Sequence, residues 1–260
     1  LMVDSGNLTI PQCTNYSDIE IDLEELKKFN NVDYNFCSQY VIYSFYLEEL
    51  NNHINIISPN IQDPIYIGHT RGDLTSLKGF IPEKYINLSK QVYTQNIGRD
   101  WGGFFQILSN IPNHKEITVL SHVKKSPFHS KIYTKKWVQE ISIPISINKN
   151  ALISKYMHEN PSIGIIASKL HRDYGIGKNY LNYHKLCDIL EIPLEYREIN
   201  YLAGSFFIIR TSILLDFFSK LNLQLFKNDS DDSFDATLAH SAERAIFSYA
   251  RSKKFKLAWI

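Results

Sequence analysis

The sequence predicts an α/β fold, with a mostly parallel, Rossmann-type sheet flanked by helices. Two features of the chain predict it. Short runs rich in β-branched and aromatic residues alternate with longer segments whose apolar residues recur at helical spacing. Polar loops follow the strand-like runs, which is typical of strand–helix–strand units with parallel strands. The composition agrees with a globular domain, because 44% of the 260 residues are hydrophobic and 21% are charged.

The elements follow one another regularly from residue 37 onward. The predicted strands span residues 40–46, 64–68, 90–94, 117–120, 162–167, 205–210 and 255–259. The predicted helices span residues 47–57, 101–110, 151–160, 212–221 and 236–253. No element is predicted in the polar, aromatic-rich stretch 171–196. Residues 1–36 are irregular apart from a short helical pattern at 22–29. We therefore expect an N-terminal extension at 1–36, one domain at 37–260 and a longer parent protein.

Charge, cysteine content and hydropathy argue against several classes of protein. The net charge of +1 gives no large positive field, so we expect no nucleic-acid partner. Cys13, Cys37 and Cys187 are far apart and form no CxxC pair, which argues against a disulfide framework and a zinc site. No apolar run reaches the ~20 residues that span a bilayer, and the N-terminus lacks a secretion-signal pattern. We expect a cytoplasmic protein, with attachment to the inner face of the plasma membrane left open.

Ligands of parallel α/β sheets bind beyond the carboxyl ends of the strands, so the loops there are the candidate sites. Residues 96–103 follow a strand and open a helix, and their three glycines allow a ligand to approach the backbone. The segment matches neither GxGxxG nor a P-loop. Asp100 within it is equally consistent with a ligand-binding role and with a plain helix N-cap.

The loop after the strand at 117–120 is basic. It contains His122, Lys124, Lys125 and Ser126, which together can neutralise a diphosphate. A solvated basic loop is the alternative interpretation. Further lysines follow up to residue 136, and they also favour contact with an anionic membrane surface.

Two acidic features lie near the C-terminus. Residues 229–235 contain four aspartates, which can hold a divalent cation or form a solvated loop, and they lack EF-hand spacing.

His240 and Glu243 lie three residues apart and share one face of the last predicted helix. The two side chains suit a general base and its partner, or an ordinary surface pair. Their HxxE spacing falls short of the HExxH zinc motif.

Four motifs occur in a fixed order within residues 39–260. They are Asn96-x-Gly98-Arg99-Asp100, His122-x-Lys124-Lys125-Ser126, Ala203-Gly204-Ser205-x-Phe207-x-x-Arg210 and Asp235-x-Thr237-Leu238-Ala239-His240-x-x-Glu243-Arg244. Together they resemble the rhamnan synthesis protein F family, with one departure at Ala236, where the family usually has glycine. The resemblance implies a bacterial glycosyltransferase that uses a nucleotide diphosphate-sugar donor. It would add rhamnose, galactofuranose or a similar sugar to a lipid-linked saccharide during rhamnan, O-antigen or capsule assembly.

The order of elements is also similar to that of inverting glycosyltransferases of the GT-A type. That resemblance implies a nucleotide base held by the first two strands, with Asp73 after the second. It matches Asn96 and Gly98 to a donor-binding loop. Where those enzymes have a metal-binding Asp-x-Asp, this chain has residues 121–125, so we expect no metal cofactor, with Mg²⁺ or Mn²⁺ left open. Counting back from the last strand places Glu243 at the position of the catalytic base.

These resemblances define the expected site. The expected catalytic residues are Glu243, His240 and Asp235. The residues expected to bind the donor and its diphosphate are Asp73, Asn96, Gly98, Arg99, Asp100, His122, Lys124, Lys125, Ser126, Gly204, Ser205 and Arg244. His240 would orient the acceptor or Glu243, and the basic loop would stabilise the departing diphosphate in place of a metal ion.

Two other classes of function stay open at this point. The first is a non-catalytic carbohydrate-binding or scaffolding domain of a polysaccharide-assembly protein. The aromatic residues that could stack on sugar rings, or else pack in the core, are Tyr174, Tyr180, Tyr183 and Tyr201. The second is a phosphoryl-transfer enzyme that uses Asp100 and the 229–235 loop. The near-neutral charge and the absence of paired metal carboxylates in the sequence pattern disfavour it.

Overall fold

The computed structural model describes residues 18–29, 38–124, 130–148, 151–227 and 237–260, except for the side chain of Lys131. The strands are β1 (Ile19–Glu20), β2 (Ser38–Ser44), β3 (Ile65–His69), β4 (Ser89–Tyr93), β5 (Ile117–His122), β6 (Ile163–Ala167), β7 (Arg172–Asp173), β8 (Tyr201–Leu202), β9 (Phe207–Arg210) and β10 (Lys256–Trp259). The α-helices are α1 (Leu23–Lys27), α2 (Leu50–Ile57), α3 (Arg99–Ser109), α4 (Lys131–Ile141), α5 (Ile143–Ile147), α6 (Leu152–Glu159), α7 (Tyr180–Ile189), α8 (Thr211–Ser219) and α9 (Leu238–Ser252).

One large sheet organises the described part of the chain. It has eight strands in the order β1-β10-β6-β9-β5-β2-β3-β4, and β7 pairs with β8 in a separate short ribbon. Neighbouring strands of the large sheet are parallel except at β9, which is antiparallel to both β5 and β6. Helices flank this sheet, with α3 packed on β2 and β3 and α9 packed near β6 and β10. The predicted α/β class with a mostly parallel sheet is therefore confirmed.

The direction of β9 brings an additional loop to the functional edge of the sheet. Phe207 opens β9 and lies opposite Leu120 of β5 and Ala167 at the end of β6. Residues 203–205, which precede β9, consequently lie at the edge where the parallel strands end. The sequence pattern predicts the strand but not its direction, because pairing partners far along the chain determine that.

Helix α3 begins at the same edge, because it follows the parallel strand β4. Its close approach to the sheet depends on Gly103, where a Cβ atom would lie 2.2 Å from Cδ2 of Tyr43. Trp101 in its first turn is buried and packs on Phe104 and Phe217. These contacts hold the start of α3 against α8 and against the end of β2, where Tyr43 lies.

Three helices, α4, α5 and α7, lie where no helix was predicted. Helix α4 is mostly polar, and α5 is a short helix with proline in its first turn. Helix α7 falls within the 171–196 stretch and buries Tyr183, Leu186 and Cys187. The sequence analysis assigned no element to this stretch. Polar and aromatic residues interrupt the apolar period of α7, and packing against α9 stabilises the helix instead.

The described part of the N-terminal segment packs on the domain. Ile19 and Glu20 pair with Ala258 and Trp259, so β1 extends the sheet beyond the last strand. The boundary at residue 36 stays a prediction, because residues 30–37 lie outside the described ranges. Across those ranges, no helix combines the length and apolar character that a bilayer crossing requires.

Candidate functional site

Glu243 is the centre of a cluster at the carboxyl edge of the sheet. It projects from the second turn of α9, and only 13% of its side chain is exposed. Its Oε1 accepts a hydrogen bond from the backbone N–H of Gly204, in the loop before β9. Its Oε2 lies 4.0 Å from Nη1 of Arg244, which is an ion pair longer than a hydrogen bond. One carboxylate oxygen is therefore engaged and the other is held more loosely.

The surroundings of Glu243 raise the pKa of its carboxyl to about 7. Burial is the largest cause, and the negative charge of Asp100 adds to it. Arg244, the Gly204 N–H and the positive charge of Lys124 act in the opposite direction. Because these charges act on one carboxyl, the structure brings together the motif residues of α3, β5 and α9, as the sequence analysis expected.

His122 at the end of β5 joins the cluster as a neutral imidazole. Its Nε2 lies 3.1 Å from the carbonyl oxygen of Gly204 and 3.8 Å from Oδ2 of Asp100. Burial lowers the pKa of His122 to about 4, with Lys124 and Arg99 lowering it further and Asp100 raising it. At pH 7 His122 therefore donates to Gly204 and supplies no positive charge to a diphosphate. Of the described residues in the basic loop, Lys124 is the cation.

The Gly204–Ser205 turn presents its backbone to both Glu243 and His122. Gly204 has φ of 126°, and a Cβ atom there would lie 2.5 Å from Cη2 of Trp137. Trp137 also lies beneath Lys124, whose Nζ is 5.2 Å from a ring centroid of the indole. This indole was missed by the sequence analysis, because it lies on the unpredicted helix α4.

Ser205 supports the turn from inside the protein. It is fully buried, and its Oγ accepts a hydrogen bond of 3.0 Å from Nε1 of Trp101. Its φ of 53° lies in the left-handed region, which is unusual for serine. The hydroxyl predicted to bind the donor thus faces the core and holds the Gly204–Ser205 turn to α3.

Arg99 and His240 connect the first turns of α3 and α9. Nη1 of Arg99 lies 3.0 Å from Nε2 of His240, and Nδ1 of His240 lies 2.7 Å from Oγ1 of Thr237. Thr237 is also the N-cap of α9, since its hydroxyl accepts from the His240 N–H at 3.2 Å. The sequence predicted both residues at the site but not their contact, because they are far apart along the chain.

Arg244 is held by protein groups on several sides. Its Nε donates to the Gly175 carbonyl at 3.2 Å, and its Nη1 donates to the His240 carbonyl at 2.8 Å. Its guanidinium lies 4.6 Å from the ring centroid of Tyr201. Arg244 is 8% exposed, so its main effect at the site is a fixed positive charge beside Glu243.

Two buried polar side chains at the neighbouring strand ends were also missed. Ser44 ends β2, His69 ends β3, and the two residues are directly paired in the sheet. Both are at most 2% exposed; within the described ranges the Ser44 hydroxyl has no hydrogen-bond partner, and the His69 ring has only a weak interaction with the Arg71 backbone. Unsatisfied buried polar groups are uncommon and indicate a site for an additional polar partner. In each case, the feature of the sequence that could have indicated the residue was a polar side chain at the end of an apolar strand.

The remaining predicted residues are placed as follows. Asp73 lies on an exposed turn after β3, where its Oδ2 is 3.0 Å from Nη2 of Arg71. Asn96 is exposed in the loop before α3, and Gly98 caps that helix. Lys125, Ser126 and Asp235 lie outside the described residues, as does the acidic stretch 229–235.

The four tyrosines that could stack on sugar rings divide into a buried pair and an exposed pair. Tyr183 and Tyr201 are buried, so the structure excludes them as open stacking surfaces. The Tyr183 hydroxyl lies 2.8 Å from Oγ of Ser248, and Tyr201 lies beneath Arg244. Tyr174 and Tyr180 are exposed.

The described side chains at the end of β5 are not carboxylates, which are the ligands that a divalent metal would need there. The GT-A resemblance implies metal-binding carboxylates at this position, whereas the described side chains there are His122 and Lys124. Asp100 and Glu243 are nearby carboxylates, and the cationic Lys124 beside them opposes metal binding. In the described ranges, no group of three His, Cys, Asp or Glu residues is arranged to hold a metal ion.

Comparison of the sequence with protein-family models and with curated proteins gives no match. The resemblance to the rhamnan synthesis protein F family therefore rests on the four motifs, and the resemblance to GT-A glycosyltransferases rests on the order of elements.

Proposed function

We propose that this chain is a glycosyltransferase that transfers a sugar, with inversion, from a nucleotide diphosphate-sugar to an acceptor hydroxyl. The observation that carries the proposal is Glu243, a buried carboxyl with a pKa of about 7 beside the positive charges of Lys124 and Arg244. A general base works best when its pKa lies near the working pH. Such a shifted carboxyl beside cationic groups is typical of an active site.

Glu243 acts on the acceptor through the oxygen that the backbone does not occupy. Oε1 accepts from Gly204, which leaves Oε2 to take the proton from the acceptor hydroxyl. The acceptor oxygen then forms a bond to the anomeric carbon while the bond from that carbon to the phosphate oxygen breaks. The diphosphate leaves with the electron pair of that bond, and a single displacement of this kind inverts the anomeric centre.

The donor lies across the carboxyl ends of β3, β2 and β5 and the amino end of β9, and these four strands are consecutive in the sheet. Three strand spacings measure about 14 Å, which suits an extended nucleotide diphosphate-sugar. The nucleobase end of the donor faces Ser44 and His69, whose polar atoms can form hydrogen bonds with the nucleobase or the ribose. The diphosphate faces Lys124, Arg99 and the N-terminus of α3, where the helix dipole favours negative charge.

Lys124 and Arg99 stabilise the departing diphosphate without a metal ion. Fixed positive charge that faces a developing negative charge is often the largest electrostatic contribution to catalysis. The pairing of His122 and Lys124 at the end of β5, in place of carboxylates, supports metal independence.

The motif resemblance supports the biological setting of the reaction. It favours rhamnose, galactofuranose or a similar sugar as the transferred group. It also favours a lipid-linked saccharide as the acceptor, in assembly of a bacterial surface polysaccharide. The reaction would then take place at the cytoplasmic face of the plasma membrane.

A thermal-shift screen of nucleotides and nucleotide sugars tests the proposal. Nucleoside diphosphates and diphosphate-sugars are added with EDTA, with Mg²⁺ and with Mn²⁺, because a ligand at 100 times its Kd stabilises the fold by about 2.7 kcal/mol. We expect one nucleotide series to raise Tm equally in all three conditions, and the best donor to be hydrolysed or transferred. Stabilisation and turnover only with a divalent ion would overturn metal independence, and stabilisation by no nucleotide would overturn the donor site.

The exposed side chains of Tyr174 and Tyr180 favour a second candidate, a non-catalytic carbohydrate-binding domain. This candidate predicts that oligosaccharides raise Tm while nucleotide sugars neither bind nor turn over. The same screen therefore separates the two functions.

A further inference from the structure

A bond between the starts of two helices has no role in the chemistry above. Nη1 of Arg99, the first residue of α3, lies 3.0 Å from Nε2 of His240 in the first turn of α9. Both residues are partly buried. The bond spans 141 positions of the chain, so only the tertiary fold brings the two side chains together.

The partners of His240 determine its tautomer. A guanidinium has N–H donors and no acceptor, so Nε2 of His240 must accept from Arg99. A neutral imidazole carries its proton on one nitrogen, which must then be Nδ1, and this N–H donates to Oγ1 of Thr237 at 2.7 Å. Both nitrogens of His240 are therefore engaged, and the basic nitrogen is directed at Arg99.

The backbone around Arg99 is held in an uncommon conformation. Gly98 has φ of 72° and Arg99 has φ of 53°, so two consecutive residues are left-handed at the helix start. A non-glycine residue stays in this region only where its surroundings fix it, often at a functional site. This conformation and the His240 bond together fix the direction of the guanidinium.

We propose that His240 is a positioning residue that aligns the Arg99 guanidinium to bind one phosphoryl group of the donor, and that it carries no proton to or from the substrate. The inference rests on the proposed function, and it replaces the expectation that His240 orients the acceptor or Glu243. A guanidinium presents its N–H donors in a planar fork, and this geometry suits phosphate oxygens. Helices α3 and α9 both begin here, so two helix dipoles favour the same anion.

The tautomer of His240 tests the positioning bond without any ligand. In the full-length chain labelled with ¹⁵N-histidine, we expect Nδ1 to be protonated and Nε2 to be an unprotonated acceptor. The Arg99→Ala substitution should abolish this preference, while His158→Gln at the opposite edge of the sheet should leave it unchanged. An Nε2–H tautomer or a doubly protonated ring in the wild type would overturn the inference.

Calorimetry with inorganic pyrophosphate tests the anion role. Both Arg99→Ala and His240→Phe should weaken pyrophosphate binding by about tenfold or more, which is typical of losing one bond to a charged group. The double variant should bind no more weakly than Arg99→Ala, because the two residues act as one unit. His240→Gln, whose amide oxygen can accept from Arg99, should retain most of the affinity, and His158→Phe should retain all of it.

The outcomes separate the two proposals. Pyrophosphate binding that His240→Phe leaves unchanged would overturn the positioning role and leave the donor site standing. Failure of the wild type to bind pyrophosphate would overturn the donor site, and with it the anion role of Arg99. In that case an Nδ1–H tautomer would still confirm the bond between Arg99 and His240.

Discussion

Asp18 and Glu243 are equally buried carboxylates with different surroundings. Their side chains are 12% and 13% exposed. Asp18 accepts hydrogen bonds from four residues of the domain, at distances between 2.6 and 3.2 Å. These residues are Arg172, Asn200, Arg251 and Trp259. Glu243 accepts from the single N–H of Gly204 and has its arginine neighbour at 4.0 Å.

The difference shows that partners, rather than burial, determine what a buried carboxylate can do. Two arginines and two further donors bind Asp18, and they join the N-terminal segment to β7, α9 and β10. Glu243 has fewer donors and a negative neighbour in Asp100, so its charged form is costly in the fold. The first arrangement suits a structural anchor, whereas the second suits a group that exchanges a proton.

The largest expected effect is that of Glu243→Gln on catalysis. Glutamine keeps an oxygen for the Gly204 N–H but cannot take a proton from an acceptor. We expect kcat to fall by about 10²–10⁴-fold, as is typical for loss of a general base. The measurement is sugar transfer or donor hydrolysis at saturating donor.

Glu191→Gln is the matched control, because this glutamate is exposed and pairs with Lys220 at the surface. It should leave kcat unchanged. The wild-type kcat/KM should rise with pH through about 7, the pKa of Glu243 in the free protein. A normal kcat in Glu243→Gln would remove this residue from the role of base.

Asp18→Ala should have the largest effect on stability. Removing the carboxylate leaves two arginines without their common partner, and breaking a buried pair costs about 3–5 kcal/mol. Urea unfolding followed by fluorescence measures the loss of free energy of unfolding. Asp188→Ala is the control, since Asp188 pairs with Arg197 but is 69% exposed, and it should cost about 1 kcal/mol or less. Equal losses in the two variants would contradict the anchor role of Asp18.

Glu243→Gln should stabilise the protein at alkaline pH. The pKa of Glu243 rises from 4.5 in an exposed chain to about 7 in the fold. Between these values the folded state binds more protons than the unfolded state, so stability falls as pH rises through about 7. The loss amounts to about 3 kcal/mol above pH 7. The glutamine variant should avoid it.

Unfolding of both proteins at pH 4.5 and at pH 8 measures the effect. The stability difference should be small at pH 4.5 and favour the variant at pH 8. Asp63, whose pKa is raised by burial to about 6, titrates in both proteins and cancels from the difference. A variant that is less stable than the wild type at pH 8 would show that the ionised carboxylate stabilises the fold.

The sequence predicted the parts of the fold that local patterns determine. Strands β2, β3, β5, β6 and β10 were predicted to within two residues at either end, because each is a short buried run of β-branched or aromatic residues. Local pattern could not predict the antiparallel direction of β9. It also missed α7, whose stability comes from packing on α9.

The motifs include several residues that the structure brings together, but they could not assign electrostatic states. Arg99, Asp100, Lys124, Gly204 and Glu243 do lie at one edge of the sheet. Burial and contact partners cannot be read from residue types alone. The sequence therefore did not indicate that the imidazole of His122 is neutral. It also did not indicate that the hydroxyl of Ser205 faces the core. Nor could it predict that the N-terminal segment contributes a buried ionic anchor.

Ser205→Ala should destabilise the protein less than Asp18→Ala, and it tests whether the turn that contacts Glu243 depends on a buried hydrogen bond. The substitution leaves Nε1 of Trp101 without its 3.0 Å partner in the core, which typically costs about 1–3 kcal/mol. Adding Trp101→Phe removes the unpaired donor, so a double-mutant cycle in urea should give a favourable coupling between the two sites. Ser205→Gly should cost less than Ser205→Ala, because glycine relieves the left-handed φ of 53°. Independent, additive losses would mean that this bond does not hold the turn, and that the contacts of Gly204 with Glu243 and His122 maintain it instead.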